Sequence, residues 1–444
     1  MLLVLSRIRD AVSITEIGDD GAPTGLVHRV TRPGLAAEVA LRERDRPRWV
    51  WDDTERWYPR LLDAGVRVER CVDLRLSHSI LRHSELSAAS ELARAGRDEW
   101  DELAAPTTDD GLFALETRRE PDPIAEVHRQ RAATTDARLT LLLAAESAGA
   151  LVAAEMRHRG LPWRADIHNQ LLTETLGPRP AAGDRPQKLA VLAGAVRDAL
   201  DAPALNPDSP VELLKALRRA GLDVKSTAKW ELYDKKHPVI APLLEYKALA
   251  RLLSANGWHW LDENVRDGRF RADYVVGGVV TGRWASKGGG GAMQLPKAVR
   301  AAVVADPGWK LVVADASQLE PRILAAMSGD AAMAHAGRAR DMYDAIVERG
   351  AVATRDQAKV AMLGAMYGAT TGDSGRLMPA LTRAFPRAIG LVEAAARTGE
   401  AGGVVSTWLG RSSPRPDEKW LETQARASNE GATDAHTTRA RQSA

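Results

Sequence analysis

Apolar and polar positions change their period several times along this chain. Over residues 1–130, short apolar runs (Leu2–Leu5, Trp49–Trp51, Val66–Leu76) alternate with charged loops, the pattern of an α/β or α+β domain. From Ala132 to Arg157 the period becomes helical, with Leu139, Leu142, Leu143, Ser147, Leu151 and Ala154 on one stripe. Gly160-Leu161-Pro162 predicts where that helix stops. A Pro-rich loop at 178–187 precedes helices predicted over 188–201, 208–220 and 238–255, the second announced by the cap-and-turn run Asn206–Pro210. Residues 270–286 read as strands with a Gly-rich break, and Lys287–Gly291 as a loop. The apolar, β-branched run Lys310–Ala314 predicts a buried strand with Asp315 at its tip. Helices are expected near 340–349, 354–369 and 376–400. A loop follows at 407–416, then a polar, Ala/Thr-rich stretch from Asp417.

Bulk properties narrow this only a little. At 444 residues the chain has room for two to four domains. No unbroken apolar run approaches the ~18 residues of a membrane span, and Met1–Arg7 is too short an apolar start for a secretory signal. Cys71 is the sole cysteine, so no internal disulfide forms, which suits a reducing cytoplasm. The net charge of +2 hides a split. Residues 1–130 hold 19 Lys and Arg against 25 Asp and Glu, whereas 201–300 hold 16 against 11. The middle of the chain is therefore the better partner for a polyanion.

Two constellations carry chemistry. Asp315 at a strand tip, with Glu320 five residues on, is a site for a hard cation such as Mg²⁺; the alternative is an aspartate that caps the next helix. Arg355, Lys359, Leu363 and Tyr367 stand four apart, which places them on one helix face. A fork-shaped and a point-like cation on that face suit a polyphosphate. The alternative is a surface helix with two solvated cations.

The run from Asp315 through Ser317, Gln318, Glu320 and Arg322 to Ser328-Gly329-Asp330 resembles the first palm motif of family A, polymerase I-like, DNA polymerases. Four further segments match the same family in the same order. Asn206–Leu213 with His237–Leu252 resembles its thumb, and Thr281-Gly282-Arg283 the opening of its palm. The stripe Arg355, Lys359, Leu363, Tyr367-Gly368 resembles its fingers helix, and Trp408–Arg411 the loop after it. The resemblance implies an RNase H-like, 3′–5′ exonuclease-like domain at 1–145 followed by a right-hand polymerase. Thumb would fall at 146–265, the first part of the palm at 266–330, fingers at 331–405, and the start of the remaining palm at 406–444. The expected function is template-directed nucleotidyl transfer to a primer 3′-hydroxyl.

The same resemblance assigns roles. Asp315 would hold two Mg²⁺ ions, assisted by the carbonyl of Ala316, and Asp315 and Lys359 would be catalytic. Gln318, Glu320, Arg355, Lys359, Leu363 and Tyr367 would meet the nucleotide, with Glu320 where a ribose 2′-hydroxyl would sit. Arg283, Gln294, Tyr367 and Gly368 would meet primer–template DNA. Partners would be that DNA and deoxynucleoside triphosphates, with no membrane. The protein would be a monomer in the cytoplasm, associated with the nucleoid, in replication or repair.

Departures qualify the expectation. No His-Asp-Glu tripeptide, the source of the second metal carboxylate, occurs in the 444 residues, and the only histidine after 335 is His436. The sequence thus reads as truncated before the last palm motif and catalytically incomplete. Leu363 stands where the family has Phe or Tyr, Tyr343 where it has His, and Gln294-Leu295 where it has Gln-Asn. In the amino-terminal domain Arg138 and Trp57 occupy positions that would hold carboxylates, and no D-x-E lies near Asp19-Asp20. Asp52, Asp53 and Asp73 read as scattered, solvated acids. Two rivals follow: a non-catalytic DNA-binding remnant, or a 3′–5′ exonuclease that uses Asp73 or Asp136.

Overall fold

The alternating amino-terminal pattern becomes a sheet. In a computed structural model, which describes residues 1–18, 21–102, 121–181, 183–287, 295–368 and 372–429, the chain mixes helix and sheet in two units. The first comprises Met1–His78, Arg97–Arg131 and Leu143–Leu311; the second Ser79–Gly96, Ala132–Leu142 and Val312–Ala444.

The first unit is built on five strands: β1 (Leu2–Ile8), β2 (Ala11–Ile17), β3 (Pro23–Thr31), β4 (Arg48–Trp51) and β5 (Cys71–Asp73). Their order is β3-β2-β1-β4-β5. The first three pair antiparallel, while β4 runs parallel to β1 and β5 parallel to β4. Period-two burial explains why they hold. Leu3, Leu5, Trp49 and Trp51 enter one core with Trp57, Tyr58 and Leu151. Val4 and Val50 enter another with Leu74, Trp100 and Val127. The parallel register sets Trp51 beside Asp73, so β4 and β5 end together.

Helix Ala137–Arg159 stops at Gly160, whose φ of +65° favours glycine. It is the one helix among the described residues with the length and mean hydropathy of a membrane span. A search for unbroken apolar runs misses it because Glu146 and Glu155 interrupt the pattern. Leu151 and Ala154 pack into the sheet core, and Glu155 accepts the Tyr58 hydroxyl at 2.7 Å. The helix packs one face against the sheet, while Leu141, Val152 and Met156 on the other remain exposed. The predicted helices of the middle region appear as Gln187–Ala199, Pro210–Arg219 and Ile240–Asn256, with Ser209 accepting from the Glu212 amide as expected of the cap.

The second unit is helical: Leu319–Ser328, Ala331–Ala336, Met342–Glu348, Arg355–Tyr367, Gly372–Ala384 and Pro386–Glu400. These pack around Leu324, Met333, Met342, Met362, Leu381 and Phe385. The single helix expected over 376–400 is two, because Pro386 forces Phe385 out of the helical region, at φ −136° and ψ 60°.

The expected buried strand at Lys310–Ala314 is absent. The segment has no strand structure, and Val312 and Val313 are 91% and 92% exposed. No described strand lies alongside to accept its ladder, so β-branched residues alone do not make it a strand. The strands expected over 270–286 shrink to the two-residue pairs Tyr274–Val275 and Ala285–Ser286, with Arg269–Phe270 paired elsewhere.

Asp330, 3% exposed, joins two helix starts. Its carboxylate accepts from the Met333 amide at 3.0 Å and from the Arg387 and Ala388 amides at 3.1 and 3.3 Å. Asp330→Ala leaves three N–H groups, those of Met333 and Ala388 buried, without that acceptor. The expected loss is about 2–4 kcal/mol of stability in the second unit, read as a lower urea midpoint; an unchanged midpoint would contradict this role.

Candidate active site

The segment that carries Asp315 leaves an extended, exposed stretch and turns at Ser317-Gln318 into helix Leu319–Ser328. Gln318 holds a left-handed backbone conformation, φ +46°, uncommon for a residue with a side chain. Local bonds hold that turn in place. The Gln318 side-chain oxygen accepts from Arg322 at 3.2 Å and from the Met342 amide at 3.4 Å. Arg322 donates to the carbonyls of Ser317 at 2.9 Å, Ala339 at 3.0 Å and Gly337. Arg322 therefore clips the turn after Asp315 to residues 337–342. Asp315 and Ala316 are exposed, and the Asp315 carboxylate makes no hydrogen bond or ion pair with a described residue. It is free to meet a cation, and it is not the cap of the helix that follows.

The fingers-like helix Arg355–Tyr367 presents the expected face. Ala358, Ala361, Met362 and Ala365 are buried in the core, while Arg355, Lys359 and Tyr367 are exposed and Leu363 is half-buried. Thr354 caps it through the Gln357 amide, and Gly368 ends it at φ +72°. Steps of four residues advance about 6 Å each along the axis. Lys359 makes no ion pair with a described residue. Arg355 is engaged: both its Nη2 and Nε donate to Asp341, at 2.8 and 3.0 Å, and its guanidinium lies 5.6 Å from the Tyr343 ring centre. Burial acts to raise the Asp341 carboxyl, but Arg355 and the Tyr343 amide outweigh it and hold the group below its ordinary value. Tyr343 is buried under that pair, and burial pushes its hydroxyl upward.

Glu320 receives the Tyr367 hydroxyl at 2.7 and 2.6 Å on its two oxygens. Ser317, Gln318, Arg340, Asp341, Asp344 and Glu348 line an open cleft of about 480 Å³ between the turn at 317–318 and the segment 339–348. Asp341 was not singled out from sequence; its one signal is its place as the cap before Met342.

In the first unit, Arg283 closes a tight turn in which its carbonyl accepts from the Val279 amide at 3.2 Å and Gly282 takes φ +88°. Gln294, Gly288–Gly291, Asp19-Asp20 and His436 lie outside the described residues.

The aspartates read as solvated are not. Asp52 and Asp53 follow β4, Asp73 ends β5, and all three are buried. Arg56 reaches Asp52 at 2.7 Å and Arg75 reaches Asp53 at 2.8 Å. Asp73, 1% exposed, accepts from the Thr54 and Leu76 amides at 2.8 and 2.9 Å. Burial, and then the Asp53 charge, push its carboxyl up to about 6. In the second unit Arg138 grips Asp136 with two nitrogens, at 3.1 and 2.8 Å.

Against known proteins, the architecture is that of a polymerase domain. It aligns over the whole chain, and over 81% of the other, with the POL domain of Pol1 from M. smegmatis, solved in complex with DNA primer-template and dNTP, at a TM-score of 0.63 and 18% identity. Residues 204–433, just over half of the chain, match the model of DNA polymerase family A. The chain belongs to DNA polymerase family A. DNA polymerase I of Chloroflexus aurantiacus is 34% identical over 128 residues, 26% of this chain and 13% of that one. The thermostable DNA polymerase I of Thermus aquaticus is 25% identical over 245 residues, 48% of this chain and 28% of that one. The chain thus spans well under a third of the length of these curated relatives.

Asp73 yields a pH prediction. Its folded value lies above the ordinary carboxyl value of 3.8, so between about pH 4 and 6 the folded chain binds the proton more tightly than the unfolded one. Stability from this group falls as pH rises through that window. Moving from pH 7 to pH 5 should stabilise the first unit by about 1 kcal/mol through Asp73. The check is the difference in urea midpoints at the two pH values, which Asp73→Asn should reduce by that amount.

Proposed function

We propose that this chain acts in template-directed DNA synthesis, transferring a nucleotide from a deoxynucleoside triphosphate to a primer 3′-hydroxyl. The observation that carries the reading is the helix Arg355–Tyr367, whose cationic and aromatic face is turned outward from a buried back. In this reading 146–265 serve as thumb, 266–330 as the first part of the palm, 331–405 as fingers, and 406–444 as the start of the remaining palm. Residues 1–145 serve as an exonuclease-like scaffold. The mixed five-stranded sheet supports that last assignment. Arginines against Asp52, Asp53 and Asp136 argue that its nuclease chemistry is lost.

Mg²⁺ fits the donor set on offer. Asp315 is an exposed carboxylate without a described partner, beside the backbone carbonyl of Ala316. A pair of such ions supplies charge stabilisation to the attacking and leaving oxygens. The rest falls to the chain. Lys359 and Arg355 bind the triphosphate, Arg355 after exchanging Asp341 for phosphate. Leu363 lies under the incoming base. Tyr367 and Gly368 meet the template, and the Tyr367 hydroxyl positions Glu320 against a ribose 2′-hydroxyl. Gln318 holds the turn beside the nucleotide, and Arg283 and Gln294 contact the duplex. The protein works as a monomer, in the cytoplasm with the nucleoid, in replication or repair. A non-catalytic DNA-binding role is the second reading, favoured by the lack of a His-Asp-Glu tripeptide in these 444 residues.

The test is retention of a labelled primer–template by residues 1–444 with Mg²⁺ and each dNTP. The complementary dNTP should tighten retention, and Lys359→Ala should weaken that effect about tenfold or more while leaving affinity without dNTP unchanged. Retention indifferent to the dNTP would overturn the reading. Primer extension by this polypeptide by itself should be slight. Robust extension would show that the single carboxylate motif suffices, and Mg²⁺-dependent degradation of single-stranded DNA by the same polypeptide would restore the exonuclease reading.

A further inference from the structure

His78 lies outside every role above, yet its surroundings are specific. It sits on helix Leu74–His83, 1% exposed, with the Trp100 ring stacked at 6.4 Å. Its Nδ1 is 2.8 Å from Oε1 of Glu126, which comes from helix Pro123–Ala133 and is itself buried. A carboxylate only accepts, so Nδ1 carries the proton and donates it. Nε2 points the other way, where it has no hydrogen-bond partner although it is buried.

What it faces is also electron-rich. Oδ1 of Asp98 lies 3.8 Å and Oδ1 of Asp101 3.6 Å from Nε2, and the three atoms lie within 4.8 Å of one another. These separations are too long for hydrogen bonds. Donor atoms around a tetrahedral ion at ~2.0–2.1 Å stand about 3.4 Å apart, so a slight contraction places all three on one ion. Asp98 is braced for this: its Oδ2 accepts from Arg129 at 2.9 Å and its Oδ1 from the Trp100 amide at 3.0 Å. The Asp98 amide donates to Oδ2 of Asp101 at 3.0 Å, while Oδ1 of Asp101 is the oxygen nearest the histidine.

We propose that His78, Asp98 and Asp101 form a binding site for a divalent transition-metal ion of the zinc type, with Glu126 as the positioning residue that orients the imidazole. An imidazole and two carboxylates, with at most one further place for water, match Zn²⁺ better than Mg²⁺, which takes oxygen ligands and keeps several waters. The carboxylate–imidazole–metal relay is the arrangement by which proteins fix a ligating histidine. The ion ties a helix after β5, the turn at 98–101 and the helix at 123–133 into one corner of the first unit.

Equilibrium dialysis of the full chain against Zn²⁺, with bound metal measured by mass spectrometry, tests the site. Wild type should retain one zinc per chain more than Asp101→Asn or His78→Asn. Glu126→Gln should keep the stoichiometry and weaken affinity about 10–100-fold. Zinc should raise the melting temperature of wild type but not of Asp101→Asn, a near-isosteric change that keeps the proposal testable if the buried histidine variant fails to fold. Equal zinc in wild type and folded Asp101→Asn would overturn it.

Discussion

Everything in the second unit that bears on chemistry depends on one guanidinium. Arg322 lies inside its helix yet spends its donors outside it, on the carbonyls of Ser317, Gly337 and Ala339 and on Gln318. Those acceptors belong to the turn beyond Asp315 and to the segment that delivers Asp341. Asp341 in turn holds Arg355 at the start of the cationic helix. The extended segment at 310–316 has no ladder to fix it, so the lever arm of Asp315 is the turn, and the turn is held by Arg322. A shorter or singly donating side chain there would leave several carbonyls and an αL glutamine without their common partner.

Much of this was legible in the residues. Helices announced themselves through caps and stops, such as Ser209 before Pro210–Arg219 and Gly160 after Ala137–Arg159. The four-residue spacing of Arg355, Lys359, Leu363 and Tyr367 became one outward face because Ala358, Ala361, Met362 and Ala365 turn the opposite side of the helix into the core. The failures have one physical origin. A β-branched run such as Lys310–Ala314 states a preference, but a strand exists only when another offers its N–H and C=O groups. Asp52, Asp53 and Asp73 lie up to 21 positions apart, and only the parallel register of β4 and β5 brings them together. Asp98 and Asp101 stand three apart on one turn, but His78 lies 20 positions earlier on a separate helix, and only the fold brings it to them.

The two carboxylate clusters of the first unit show opposite electrostatic solutions. At the ends of β4 and β5, arginines and backbone amides compensate buried negative charge, and the least compensated member, Asp73, holds its proton more tightly than usual. Around His78, Arg129 pairs with Asp98, and the buried Nε2 of the histidine has no hydrogen-bond partner. The first arrangement is closed chemically.

Asp330 has a mechanical consequence. With its two oxygens it serves the starts of helices Ala331–Ala336 and Pro386–Glu400 at once. Sliding either helix away from the other would strip a buried carboxylate of its donors, so the two travel as one rigid block. Any swing of the helix between them must be absorbed at its own ends, beside Thr354 and at Gly368, where the backbone is already left-handed and turns cheaply.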